Sequence, residues 1–159
     1  MNTKILHTGI YNESIYNKRV NRTEAFLGRD KEEQKEAQNI LSKSVIGIAG
    51  TGGIGGAMAL RLARFGVKHI KIADPENFDY SNINRQLGAT KNNVGRNKAE
   101  VVGEIVHDIA GDVTIEVFTE GITIENAEEF VSGCDIIVDQ LEFYVIKEKA
   151  QSRRKENVV

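Results

Sequence analysis

The stretch Gly50-Thr51-Gly52-Gly53-Ile54-Gly55-Gly56 constrains the fold more than any other part of the chain. It follows a short apolar run, Ser44 to Ala49, which reads as a buried strand. After it, Ile54, Met58, Leu62 and Phe65 recur at helical spacing with Arg61 and Arg64 off the stripe, until Gly66 stops the helix. A Gly-x-Gly-x-x-Gly turn between a strand and a helix is the setting in which the motif receives a phosphate. Glycine lets the backbone come close, and the helix N-terminus offers free N–H groups and a partial positive charge. Without that setting the same residues would be only a tight turn.

The remaining chain repeats the alternation. Strands are predicted at 68–73, 113–118 and 135–138, and helices at 31–41, 95–109, 126–131 and 142–156, with a further strand starting at 157. Residues 1–20 lack a period and read as an extended arm, and 75–94 form a long polar loop rich in Asn. Strands joined by helices predict an α/β fold, doubly wound, with a mainly parallel sheet of Rossmann-like nucleotide-binding topology. Gly50, Asp74 and Asp139 each follow a strand, so all three belong on the ligand-binding edge.

Composition narrows the class. With 159 residues, 40% of them hydrophobic, the chain can bury a core as one domain. A net charge of −2 gives no broad basic field for nucleic acid or an anionic membrane. No apolar run approaches the roughly 20 residues that span a bilayer, and the N-terminus lacks the apolar segment of a secretion signal. One cysteine, Cys134, excludes an internal disulfide framework and fits a cytoplasmic setting. It reads as a packing residue before a buried strand. His7, His69 and His107 are scattered and suggest no chemistry.

Asp74 lies 19 residues after Gly55, where a carboxylate can accept hydrogen bonds from both ribose hydroxyls. Glu76 and Asp79 are close enough to share or replace it, and Asp74 also suits a turn before Pro75, the single proline. Arg85, within Ser81-Asn82-Ile83-Asn84-Arg85-Gln86, and Lys98, within Gly95-Arg96-Asn97-Lys98, discriminate between cofactors. Alone, each would read as a surface cation. Together with Asn82, Asn84 and Gln86 they suit the charge that builds on pyrophosphate leaving ATP. An NAD-dependent oxidoreductase is compatible with Gly50 to Asp74 but leaves Arg85 and Lys98 without a role.

These motifs, in this order, resemble the adenylyltransferase family of ubiquitin-activating, ThiF-type and MoeB-type enzymes. The resemblance runs from about Arg22 onward and is most specific from Gly50 to Lys98. It implies an ATP-binding adenylyltransferase domain over 31–159, incomplete at its C-terminus, after an N-terminal arm over 1–30. It implies that Gly50, Gly52, Gly53 and Gly55 cradle the nucleotide, Asp74 holds the ribose, Asn82, Arg85 and Gln86 meet the phosphate region, and Lys98 meets the phosphates. It further implies a homodimer in which Arg22, or less well Arg19, reaches the partner's ATP. Mg²⁺ would fall to Glu142 and Asp139, in a stretch that departs from the family's Asp-x-x-Asp-Asn by reading Asp139-Gln140-Leu141-Glu142-Phe143. The implied reaction converts a carboxylate to an acyl-adenylate. The substrate would be the C-terminus of a ubiquitin-like or sulfur-carrier protein or peptide, with no nucleic acid or membrane partner. The competing expectation is a non-catalytic partner subunit, favoured by the altered Glu142-Phe143 and by the C-terminal portion that longer relatives have beyond this stretch.

Overall fold

The computed structural model of the chain describes residues 4–141. The elements are β1 (Lys4–His7), α1 (Glu13–Glu24), α2 (Lys31–Lys43), β2 (Val45–Ala49), α3 (Gly55–Phe65), β3 (His69–Ala73), a 3-10 turn (Tyr80–Asn82), α4 (Lys98–Ile109), β4 (Thr114–Phe118), α5 (Ala127–Val131) and β5 (Ile136–Asp139). The sheet order is β1-β4-β3-β2-β5. β4, β3, β2 and β5 are parallel, and β1 closes one side antiparallel to β4. Counted from β2, the parallel part runs 3-2-1-4, the Rossmann order, which reverses between β2 and β5. Register places Ala49 beside both Ala73 and Asp139, and Ala73 beside Phe118, so the four strands end level. The loops after them open on one edge.

The core lies between the sheet and two crossover helices. Ile46, Ile48, Ile70, Ile72, Ile115 and Val117 pack with Ala59, Leu60 and Ala63 of α3 and with Val101, Val102 and Val106 of α4. A smaller cluster of Ala49, Ala73, Phe118 and Phe130 seats α5, with the Phe118 and Phe130 rings edge-on at 5.3 Å. Cys134 packs there too: its Sγ donates to the Phe130 carbonyl at 3.3 Å, and burial pushes its thiol up. Among the described residues no helix is long and apolar enough to cross a membrane.

Three sequence expectations change. The N-terminal segment contains β1 and α1 rather than an extended arm. β1 has only four residues, and α1 buries only Tyr16 and Val20, so neither leaves a legible period. Tyr16 Oη donates to the Gly66 carbonyl (3.0 Å) and accepts from Gln38 Nε2 (2.9 Å), while Arg19 forks onto Asp112 at 2.5 and 3.2 Å. In α3 Met58 and Leu62 pack partly buried against the core as expected, but the buried face is Gly55, Gly56, Ala59, Leu60 and Ala63, whereas Ile54 is 65% exposed and Phe65 is 46% exposed. Close helix-to-sheet approach selects small residues, which a hydrophobicity stripe does not register. The helix expected from Gly95 starts at Lys98, because Gly95 has φ +88° and Asn97 caps the first turn. The helix and strand expected after 141 fall outside the described residues.

A charge cluster ties the outer pieces to the sheet. Glu116 of β4 accepts from Lys4 Nζ (2.9 Å), pairs with His69 Nε2 (2.6 Å) and lies 3.9 Å from Lys71 Nζ. Lys4 also reaches Glu129 of α5 at 2.6 Å, and the buried Lys71 ammonium donates to the Glu129 and Ser132 carbonyls. Burial by itself would raise the Glu116 carboxyl. The hydrogen bonds from Lys4 and His69, with the Lys71 charge, outweigh it and hold the group below the usual glutamate range. A depressed carboxylate contributes stability that is present above its unfolded value and lost as pH falls through its folded value. Glu116→Gln is therefore expected to cost about 1–3 kcal/mol at neutral pH. Urea denaturation at pH 7 and in the acid limb checks this: the gap to the unsubstituted protein should close on acidification, and a constant gap would refute the assignment.

Candidate nucleotide-phosphate site

The site edge is built from the turn between β2 and α3. Gly50 N donates to the Ala73 carbonyl at 2.7 Å. Gly50 has φ +94°, and a Cβ there would stand 2.6 Å from the Gln140 carbonyl oxygen, so only glycine fits. A Cβ on Gly55 would overlap the Gly50 carbonyl oxygen, and one on Gly56 would lie 2.6 Å from Thr51 O. These three glycines serve the turn itself. Gly52 and Gly53 are different: their Cβ positions are 3.6 Å from Gln86 Nε2 and 3.7 Å from Arg85 O. They face the 75–94 loop at ordinary van der Waals distance, so a Cβ there would meet no clash.

Asp74 follows β3 and is 5% exposed. Its Oδ2 accepts from Thr51 N (2.7 Å) and Thr51 Oγ1 (3.1 Å), and its Oδ1 accepts from Glu76 N (2.9 Å). The carboxylate braces the glycine loop. Glu76 points out instead, its side chain 68% exposed, and Oε2 meets Lys98 Nζ at 2.6 Å. Lys98 opens α4 with its side chain 7% exposed. Glu76 carries a larger part of the site than the sequence suggested. Asn97 was missed, although an Asn just before an apolar-periodic run is a cap signal.

The polar loop supplies the other wall. Asn82 Oδ1 accepts from Asp79 N (3.0 Å), so the acceptor half of the Asn82 amide shapes the 3-10 turn. The Ser81 backbone N–H holds the Asp79 carboxyl below its usual range. Gln86 is 7% exposed, and its Oε1 is buried with no hydrogen-bond partner among the described residues. Arg85 is exposed. It donates to Ser81 O and Asn84 Oδ1, both at 3.0 Å, and meets no carboxylate among the described residues.

Of the remaining expected residues, Arg22 stands apart from the loop and Asp139 lies beside it. Arg22, in the last turn of α1, is exposed and makes no ion pair among the described residues. Its helix is anchored through Tyr16 at Gly66, which ends α3 at the end remote from the glycine loop. Asp139 ends β5 beside the loop. It is exposed, and its Oδ1 accepts from Leu141 N at 3.0 Å while Oδ2 has no partner among the described residues. Glu142 lies outside the described residues. Among those described, no group of three or more His, Cys, Asp or Glu side chains is arranged to hold a metal.

One edge therefore combines a glycine turn at a helix N-terminus, a buried ammonium, an exposed guanidinium and an amide oxygen without a hydrogen-bond partner among the described residues. Residues 25–148 match the ThiF family. A tRNA threonylcarbamoyladenosine dehydratase of Bacillus subtilis is 33% identical over 106 residues, covering 66% of this chain and 42% of that protein. A probable molybdopterin-synthase adenylyltransferase of Porphyra purpurea is 33% identical over 104 residues, 65% of this chain and 27% of that one. Among solved structures, the Escherichia coli threonylcarbamoyladenosine dehydratase in complex with ATP superposes with a TM-score of 0.75 at 25% identity, covering 84% of this chain and 53% of that one. The chain thus spans about half the length, or less, of these relatives.

The division among the glycines is testable by substitution. Gly55→Ala should destabilise by about 2–3 kcal/mol or prevent folding, because backbone must move. Gly53→Ala, which meets nothing closer than 3.7 Å, should stay within about 1 kcal/mol. Equal denaturation midpoints for the two variants would contradict the geometry.

Proposed function

The chain belongs to the ThiF family, and on that premise we propose that residues 31–159 act as the ATP-binding domain of an adenylyltransferase that activates a carboxylate. The observation that carries the reading is the Lys98–Glu76 pair. A buried ammonium whose counter-ion is an exposed side chain can exchange that partner for phosphate. In the proposed reaction a substrate carboxylate attacks the α-phosphorus, forming an acyl-adenylate and releasing pyrophosphate. A carboxyl with a pKa of about 3.5 is already ionised, so no general base is required. The domain's work is to align two anions and offset the charge between them.

Roles follow from position. Gly52 and Gly53, with the first N–H groups of α3, would take phosphate oxygens. Gln86 would offer its side-chain amide beside them. Lys98 and Arg85 would draw charge from the leaving pyrophosphate. Asp74, which also braces the loop, would hold the ribose, and Asn82, whose carbonyl accepts from the Arg85 and Gln86 backbone N–H groups, would meet the phosphate region with them. Mg²⁺ binds through one or two carboxylates plus phosphates and water. Glu142 would be the first donor, with Asp139, whose Oδ2 has no partner among the described residues, as the second. In a homodimer Arg22 would serve the partner's site, to which its exposure and its lack of an ion-pair partner among the described residues suit it.

The proposed substrate is the C-terminus of a ubiquitin-like or sulfur-carrier protein or peptide, in a cytoplasmic setting. The dehydratases named for a modified tRNA nucleoside favour a second reading, in which the carboxylate sits on tRNA. ATP with Mg²⁺ should raise the melting temperature and NAD should not. At a hundredfold excess over Kd the gain is about 2.7 kcal/mol, and a larger shift with NAD would overturn the reading. Pyrophosphate–ATP exchange with a Gly-Gly-ending carrier protein or with modified tRNA would choose between substrates. Exchange with neither would leave a non-catalytic partner subunit. In an active form, Arg85→Ala and Lys98→Ala should each lower exchange about 10²–10³-fold, and near-normal exchange would remove the residue from the site.

A further inference from the structure

The residue before Lys98 ties together more of this edge than any of the glycines. Asn97 Oδ1 accepts from Glu100 N at 3.0 Å and caps α4. Its Nδ2 faces three carbonyls from two other segments: Asp74 O at 2.9 Å, Thr119 O at 3.1 Å and, more distantly, Glu76 O at 3.4 Å. Asn77 and Asn97 also form an isolated antiparallel bridge, and Lys98 N donates to Glu76 O at 2.8 Å. A helix cap needs only the acceptor oxygen. The donor half of this amide is spent on the ends of β3 and β4.

We infer that Asn97 is a positioning residue that fixes the Lys98 ammonium at a set distance from the glycine loop. The connection is short and continuous. Thr51, inside the loop, donates to the Asp74 carboxylate; the Asp74 carbonyl accepts from Asn97; Asn97 is bonded to Lys98. Without the Asn97 donor, α4 keeps its cap but loses its tie to Asp74, and the ammonium can drift relative to the phosphates. A misplacement on the order of 1 Å is enough to matter in such a site. The inference rests on the nucleotide reading for its consequence but not for its geometry, and the two can be tested apart.

Asn97→Ser separates cap from tie, because serine caps a helix well and cannot reach the carbonyls as a primary amide does. The nucleotide arm is a double-mutant cycle on ATP affinity. Asn97→Ser should weaken ATP binding about tenfold, equivalent to about 1.4 kcal/mol, and less than twofold in a Lys98→Ala background. An equal loss in both backgrounds would show that Asn97 does not act through Lys98 and would overturn the inference. The second arm uses no nucleotide: amine-reactive labelling of the folded protein, read by mass spectrometry. Lys98 and Lys71 are both about 6% exposed, so both should label slowly. Asn97→Ser should speed labelling of Lys98 several-fold and leave Lys71 unchanged. A rise at both would mean general loosening, and no rise at Lys98 would mean no positioning, and either refutes the proposal. Absence of ATP binding by the unsubstituted protein would sink the nucleotide reading alone, leaving labelling to decide on Asn97.

Discussion

The Asp74 carboxylate holds the functional edge together. It sits at 5% exposure and accepts three hydrogen bonds, two from Thr51 and one from the Glu76 backbone. A carboxylate taken out of water is costly unless its oxygens are satisfied, and here the donors come from the turn whose shape the site requires. Gly50 completes the arrangement by bonding back to Ala73 while its open Cα lets Gln140 of the neighbouring loop approach. Three strand ends are thereby drawn onto one patch of backbone. The helix that follows can then lie close enough to the sheet that alanine and glycine form its inner face.

Charge is arranged around that patch in two ways. Groups that shape the backbone are buried or half-buried and hydrogen-bonded in place: Asp74 and Asn82 are buried, and Asn97 is half-buried. Groups able to meet a ligand are either exposed, as Arg85 and Glu76 are, or buried with an exchangeable partner, as Lys98 is. The other face of the sheet shows the purely structural use of charge. There Glu116, Lys4, His69 and Lys71 bind β1, β3, β4 and α5 to one another, and Lys71 satisfies the last carbonyls of a short helix.

Much was legible in the chain itself. The apolar run before Gly50, the alternation of strands and helices, and the order of the Gly50–Gly56, Asp74, Ser81–Gln86 and Gly95–Lys98 motifs specify a parallel sheet with a phosphate-facing edge. Each depends on local spacing, and local spacing is what a sequence displays. The N-terminal elements were not legible, because β1 is stabilised by pairing with Phe118 to Ile115, more than a hundred residues away, and α1 by two buried side chains. The inward face of α3 was misjudged because the fit there is set by volume and not by hydrophobicity.

The division of labour within the site belongs to the tertiary structure alone. Sequence placed Asp74, Asn82, Arg85, Gln86 and Lys98 on one edge as candidate ligand contacts, since residue type and distance from a strand end suffice for that. It did not distinguish Asp74, whose oxygens already brace Thr51 and the Glu76 backbone, from Glu76, whose carboxylate stands in the open against Lys98. Nor did it show that Asn97 joins α4 to β3 and β4. A carboxylate or an amide has the same chemistry wherever it stands. Whether it shapes backbone or meets a ligand depends on which donors and acceptors the fold brings within about 3 Å of it.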